Sequence, residues 1–182
     1  MLKTNLTNID GVIVIKPEIY NDDRGFFSET YSKEKYFSIG IHEEFVQDNH
    51  SQSIKNTLRG LHYQLNQTQG KLVRVLRGEV LDVAVDIRQD SKTFGKHFSI
   101  LLNESNHYQL YMPPGIAHGF YVISEFADFE YKCTDYYNPE SEKGVLWSDP
   151  DLNIDWPSKF PIVSEKDSIY KRLKDIPKED LL

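Results

Sequence analysis

Residues 58–64, LRGLHYQ, set an arginine and a histidine three positions apart, with a glycine between them, in a run that otherwise reads as a buried strand. An imidazole titrates near pH 6.5 and can move protons near neutrality, whereas a guanidinium can clamp an anion through two parallel hydrogen bonds. His62 therefore suits a general base in a cavity, or equally a satisfied histidine at the rim of a core. In strict alternation His62 shares its face with Leu58, Gly60 and Gln64, which leaves Arg59 on the other. The two cations converge only if the strand departs from regular pleating, and Gly60 is where a bulge costs least.

Other chemistry-bearing positions divide in the same way. Tyr131, in DFEYKC, shares a face with Ala127, Phe129 and Cys133; its phenol could exchange a proton opposite His62 or simply fill a core. Lys71 opens KLVRV on the Val73 and Val75 face, where an inward ammonium is costly unless it meets an anion or a developing enolate, while a frayed strand end is the cheap alternative. His118 ends the P-x-G-x-x-H of MPPGIAH, a tight corner that turns the imidazole back toward a barrel mouth, suited to a phosphate or a metal. Gln64 stands two positions after His62 and the chain has no H-x-H, which argues against a three-histidine metal site. Arg24, in NDDRGFF, is a turn residue or a phosphate clamp; Asp167 is a helix-capping carboxylate or a partner for His62; Tyr137 covers apolar surface or stacks on a flat base.

The elements that must position these groups read as strands. EVLDVAVDIR alternates, with Leu81, Val83, Val85 and Ile87 on one face and Val80, Asp82, Ala84, Asp86 and Arg88 on the other, which predicts one drier face. KLVRVL precedes it across Arg77 and Gly78, a hairpin signal. HFSILL, HYQLYM, HGFYVIS and ADFEYKCTDYY add four strands, with turns at NESN and PPG, and GVIVI and GFFSETY flank the turn NDDR. Short strands without long intervening helices predict an all-β sandwich or barrel in a single domain over residues 1–182. Helix is expected only in SKEKYFSIG and in SEKDSIYKRLKDI, where Ser164 and Asp167 resemble a capping box and Ile169, Leu173 and Ile176 fall at helical spacing. The turn-rich NPESEKGVLWSDPDLNIDWP is expected to wrap the surface as an irregular connection.

Composition narrows the partners. The net charge of −7 opposes binding to nucleic-acid backbones, although a few local cations can still hold a phosphorylated small molecule. Cys133 is the only cysteine, so an internal disulfide and a thiolate cluster are excluded. The N-terminus MLKTNLTNID lacks the pattern of a signal peptide and no segment has the apolar length to cross a bilayer; the chain is expected in the cytoplasm, away from membranes.

The motifs DDRGFFSE, RGLHYQ, QGKLVRVLRGEVLDVAVDIR, PPGIAHGF, DFEYKCTDYYNPESE and DPDLNIDWP together resemble the dTDP-4-dehydrorhamnose 3,5-epimerase family in one register along roughly the whole chain. That resemblance implies a cupin-type jelly roll with a few short helices, a homodimer with exchanged N-terminal strands, and no metal or other cofactor. It implies His62 as catalytic base, Asp167 as the carboxylate orienting it, Tyr131 as the acid on the opposite sugar face and Lys71 as the cation beside the ketone. Arg24, Glu29, Gln47, Asn49, Arg59, His118, Glu142 and Lys166 match nucleotide- and sugar-binding positions, with Tyr137 stacking on thymine, and the implied strand exchange would put Arg24 in the partner's site. The implied substrate is dTDP-4-dehydro-6-deoxy-D-glucose, inverted at C3 and C5 to dTDP-4-dehydro-L-rhamnose. Two alternatives share the fold: an epimerase acting on C3 or C5 alone in another dTDP-deoxysugar pathway, and a non-catalytic sugar-binding jelly roll.

Overall fold

Alternation of apolar and polar residues commits most of this chain to strand, because only the extended backbone sends successive side chains to opposite faces. The computed structural model describes residues 2–182. Its strands run β1 (Lys3–Leu6), β2 (Ile13–Lys16), β3 (Tyr20–Asp22), β4 (Gly25–Phe27), β5 (Gln47–Ile54) and β6 (Leu58–Gln64). They continue with β7 (Lys71–Arg77), β8 (Glu79–Asp86), β9 (His97–Asn103), β10 (Gln109–Met112), β11 (Ile116–Val122), β12 (Phe126–Cys133) and β13 (Glu142–Gly144). The helices are α1 (Lys33–Phe37) and α2 (Glu165–Ser168).

A six-stranded antiparallel sheet, ordered β1-β2-β10-β7-β12-β5, faces a five-stranded one, ordered β13-β6-β11-β8-β9, and β3 pairs with β4 as a separate hairpin. This is the all-β, cupin-type jelly roll that the motifs imply. Val14, Val73, Val75, Leu110, Met112 and Phe129 of the larger sheet pack against Val80, Ala84, Leu102, Ile116, Phe120 and Val122 of the smaller to form the core. Burying such side chains contributes about 1.5–3 kcal/mol each before the cost of chain ordering.

Several local expectations give way to tertiary context. β8 is buried on both faces: Val80 and Ala84 enter the core between the sheets, while Val83, Val85 and Ile87 are covered by Val145, Leu152 and Leu173 from the C-terminal third. The irregular connection expected after residue 137 provides part of this cover, through Val145, Leu152, Ile154 and Trp156. Arg77 and Gly78 do not close a hairpin, because β7 and β8 lie in opposite sheets and the chain turns a corner between them. The C-terminal helix is a single turn: α2 ends after Ser168, and a parallel bridge between Val145 and Lys171, with Leu146 N–H donating to the Lys171 carbonyl at 2.8 Å, pulls the following chain onto the sheet. β1, β3, β5 and β13 were not evident in the sequence, the last lying within the stretch expected to be irregular. β5 carries the mainly polar QDNHSQS, so pairing along β12 rather than apolar pattern makes it a strand.

At Gly78 the corner requires φ of +81°, and a Cβ there would stand 2.1 Å from the Phe126 carbonyl oxygen and 2.5 Å from Ser124 Oγ. Gly78→Ala is accordingly expected to lower the unfolding free energy by about 1–3 kcal/mol or more, read as a drop in the urea midpoint. An unchanged midpoint would mean that the corner relaxes freely and does not need glycine.

Candidate active site

The strand bearing His62 is irregular where glycine allows it. Along β6 and β11, His62 pairs with His118 and Arg59 with Phe120, so Gly60 and Leu61 together oppose the single residue Gly119. Gly60 takes φ of +130°, and a Cβ there would lie 2.5 Å from Gly119 Cα. The expected bulge is therefore present. It brings Arg59 to the side of the six-stranded sheet, where Arg59 Nε donates to Ser53 Oγ of β5 at 2.9 Å, while His62 faces a cavity between the same two sheets.

That cavity has a volume of about 300 Å³. The six-stranded sheet supplies Gln47 and Asn49 from β5, Lys71 from β7 and Tyr131 from β12; the five-stranded sheet supplies His62 and Gln64 from β6 and Glu142 from β13, with Tyr137 at the edge. His62 and Tyr131 thus look into one hollow from opposite sheets. Asp167 stands behind the imidazole, with Oδ1 2.7 Å from His62 Nε2 and Oδ2 accepting from the Gly60 N–H at 3.2 Å. Its own N–H is capped by Ser164 Oγ at 3.1 Å, so the capping signal read from the sequence is present, but the Asp167 side chain is turned to His62. Burial alone would raise the Asp167 carboxyl; the hydrogen bond and charge of His62, with the Gly60 and Ser164 contacts, outweigh it and hold the group below the ordinary carboxylate range.

The cations differ sharply in their surroundings. Lys71 is 9% exposed; burial drives its ammonium below the ordinary value, and Cys133, Glu142 and Asp82 only partly oppose that through space. Both of those carboxylates are already engaged, Glu142 by Lys166 Nζ at 2.7 Å and Asp82 by His118 Nε2 at 2.9 Å. Tyr137 Oη also donates to Glu142 at 2.7 Å, and this bond to a carboxylate pushes the phenol up to about 12. Burial raises Tyr131 as well, which keeps it a neutral proton donor. Gln47 accepts from the Tyr137 N–H and donates to Asn49, so the polar wall is fixed by its own hydrogen bonds.

Five of the binding residues singled out in the sequence do not line the cavity: Arg59, bound to Ser53, Lys166, bound to Glu142, and His118, Arg24 and Glu29. His118 is buried beneath the cavity, paired with Asp82 and stacked 5.9 Å from the Phe129 ring. Arg24 is exposed in the β3–β4 hairpin and bound to Asp22 at 2.5 Å, and Glu29 pairs with Lys35 at 2.8 Å. Conversely, Tyr63 and Gln69 line the cavity without having been anticipated: alternation places Tyr63 on the far face of β6, and Gln69 falls in a loop. Among the described residues no group of three or more His, Cys, Asp or Glu side chains is placed to hold a metal ion, and no helix is long and apolar enough to cross a membrane.

The family model described as dTDP-4-dehydrorhamnose 3,5-epimerase matches residues 6–175. A protein of that name from Pseudomonas aeruginosa is 48% identical over 176 residues, covering 96% of this chain and 97% of its own length. Among solved structures, a dTDP-6-deoxy-D-glucose-3,5-epimerase from Legionella pneumophila in complex with dTDP-4-keto-L-rhamnose superposes with a TM-score of 0.97 at 52% identity, covering 100% of this chain and 97% of that one. A dTDP-4-dehydrorhamnose 3,5-epimerase from Bacillus anthracis with TDP and PPi bound has a TM-score of 0.92 at 41% identity, over 94% and 99% of the two chains.

Buried Lys71, which has no ion-pair partner among the described residues, makes a stability prediction with a definite sign. A depressed folded-state pKa means that the unfolded chain binds the proton more tightly, so the cost of burying the lysine is fully present below the folded value and is relieved as pH rises from there toward the unfolded value of about 10.4. Lys71→Met should therefore be more stable than the parent at pH 7 by about 1–3 kcal/mol in urea unfolding, with the gap closing at higher pH. A less stable Lys71→Met protein, or a gap independent of pH, would show that the ammonium is satisfied where it lies.

Proposed function

This chain belongs to the dTDP-4-dehydrorhamnose 3,5-epimerase family, and on that premise we propose that it is an isomerase inverting C3 and C5 of dTDP-4-dehydro-6-deoxy-D-glucose to give dTDP-4-dehydro-L-rhamnose. The C4 ketone acidifies the hydrogens on both neighbouring carbons, and loss of either leaves an enolate whose charge rests on the C4 oxygen. His62 takes the proton from one face of the sugar, with Asp167 fixing the ring and stabilising the imidazolium that forms. Tyr131 delivers a proton to the opposite face, and the carbon inverts. Lys71 steadies the enolate oxygen, because an imidazole is too weak a base to form so basic an anion unless a preorganised cation stabilises it. Each half-reaction breaks and remakes one C–H bond with no hydride transferred, so the balance calls for no redox partner.

The observation that carries this reading is the shared cavity: an imidazole backed by a carboxylate on one sheet, and a half-buried phenol and a buried ammonium on the other. The rest of the pocket suits the nucleotide. Tyr137 stacks on the thymine, Gln47, Asn49, Glu142 and Lys166 line the path to the sugar, and Arg59 and His118 complete the set of binding positions on β6 and β11. Arg24 and Glu29 serve the second copy of a homodimer in which N-terminal strands are exchanged, in keeping with their exposure away from their own chain's cavity. The enzyme works in the cytoplasm, where its nucleotide-sugar substrate is made and consumed.

Proton NMR of the substrate in deuterated water tests the assignment. Deuterium should enter at both C3 and C5 with the intact enzyme. His62→Asn should slow uptake by about 10²–10⁴-fold and Lys71→Met by about 10²–10³-fold, both remaining folded. Uptake at one carbon alone would make the protein a single-carbon epimerase with the same machinery, and undiminished uptake in His62→Asn would remove His62 as the base.

A further inference from the structure

The carboxylate is not the only group that grips the imidazole. In the pairing of β13 with β6, the residue directly across from His62 is Gly144, and this position carries no side chain of its own. The space above it is filled from elsewhere: a Cβ at Gly144 would stand 2.3–2.5 Å from Cε2, Cδ2 and Cζ of the Tyr170 ring. That ring meets the imidazole edge-on, with centroids 6.0 Å apart and planes at 75°. Its hydroxyl is buried and finds no hydrogen-bond partner among the described residues. An orphaned phenol is a net cost, so the ring is retained here for its shape and not for its oxygen.

We propose that Tyr170 is a positioning residue for His62, setting the plane of the imidazole by packing between it and Gly144. Asp167 and Tyr170 stand three residues apart on one short segment that holds His62 from two directions: the carboxylate fixes one ring nitrogen, and the aromatic edge blocks rotation of the ring about its Cβ–Cγ bond. The segment is itself anchored at both ends, by Ser164 Oγ on the Asp167 N–H and by the Val145–Lys171 bridge next to Tyr170. A hydrogen bond to one nitrogen leaves the ring free to pivot about that contact, and a second, lateral restraint is what confines it to one orientation. The inference rests on His62 being the base of the proposed epimerisation. An error of about 1 Å in the placement of a reacting group can cost about 10²-fold in rate, so loss of this restraint belongs in kcat and not in binding.

The experiment compares Tyr170→Phe, Tyr170→Ala and Gly144→Ala with the parent in two readouts: deuterium uptake by the substrate, split into kcat and KM, and the His62 ring resonances of the ligand-free protein. Tyr170→Phe keeps the ring and should stay within about twofold of the parent in kcat. Tyr170→Ala should lose about 10–100-fold in kcat with KM within about threefold, and its His62 signal should broaden or double. Gly144→Ala displaces the Tyr170 ring without altering it and should reproduce both changes, which keeps the test sharp if Tyr170→Ala does not fold. A folded Tyr170→Ala or Gly144→Ala protein with kcat within twofold of the parent and an unaltered His62 signal overturns the proposal, as does a Tyr170→Phe protein as impaired as Tyr170→Ala. If the parent itself exchanges no deuterium, the epimerase reading fails, and the ring resonances still decide whether Tyr170 restrains the imidazole.

Discussion

The contact of 2.7 Å between His62 and Asp167 joins residues 105 positions apart, and the geometry of the cavity depends on it. One carboxylate serves two needs: it orients the imidazole, and through its second oxygen it satisfies the Gly60 N–H that the bulge takes out of the strand ladder. Neither arrangement stands well without the other. A bulge with an unpaired, buried N–H costs free energy, and a carboxylate that is only 2% exposed costs more unless hydrogen bonds and an adjacent cation compensate it. Because the Asp167 carboxyl is held below its unfolded value, its contribution to stability is complete above about pH 4 and fades as pH falls through the lower, folded value. Protonation of Asp167 therefore weakens the contact with His62 and the support of the Gly60 N–H together.

Around this pair the sandwich separates a dry region from a wet one. Beneath the cavity Phe120 and Phe129 stack at 4.3 Å, with the His118 ring above Phe129, and the apolar contacts of both sheets continue from there. Polar groups that would weaken this core sit at its upper boundary, including the buried Asp82, one of whose oxygens has no partner among the described residues. Asp82, Lys71 and His118 are costs to the fold that the surrounding apolar packing tolerates. Buried charge of this kind is spent on a site, since water has been excluded and each remaining charge acts at a lower effective dielectric than it would at the surface.

Much of this was legible in the sequence, for reasons that differ from residue to residue. Short apolar-rich runs bounded by turn signals carried β8, β11 and β12, although β8 and β11 prove to be buried on both faces, which a period of two does not foretell. The bulge was legible because Arg59 and His62 could meet only if Gly60 broke the pleat. Asp167 was ambiguous on its own, a capping residue as readily as a partner for His62, and only motif resemblance joined it to a strand 105 residues away. β5 escaped notice because its residues are mostly polar and its strand character comes from β12 beside it. The corner at Gly78 escaped because a glycine between two alternating runs looks the same whether the runs pair or part. Tyr170 left no trace either: what reveals it is the bare Cα of Gly144, and a glycine in a turn-rich stretch reads only as a turn.

The N-terminal hairpin stands apart from both sheets of the sandwich. β3 and β4 pair only with one another, and Tyr20, Phe26 and Phe27 are 55%, 61% and 67% exposed. Apolar rings held out on a two-stranded hairpin are costly in water, and a hairpin of three-residue strands has little of its own to keep it ordered. Arg24 at its tip is neutralised by Asp22, a pair so exposed that it contributes little to stability. Within one chain, then, Phe26 and Phe27 stay exposed, although Phe26 meets the His107 ring, and the hairpin's cation is bound to Asp22. Both facts make sense together if the surface that covers Phe26 and Phe27 and the anion that competes with Asp22 for Arg24 belong to the second copy in the proposed dimer, so that assembly and substrate binding draw on the same few residues.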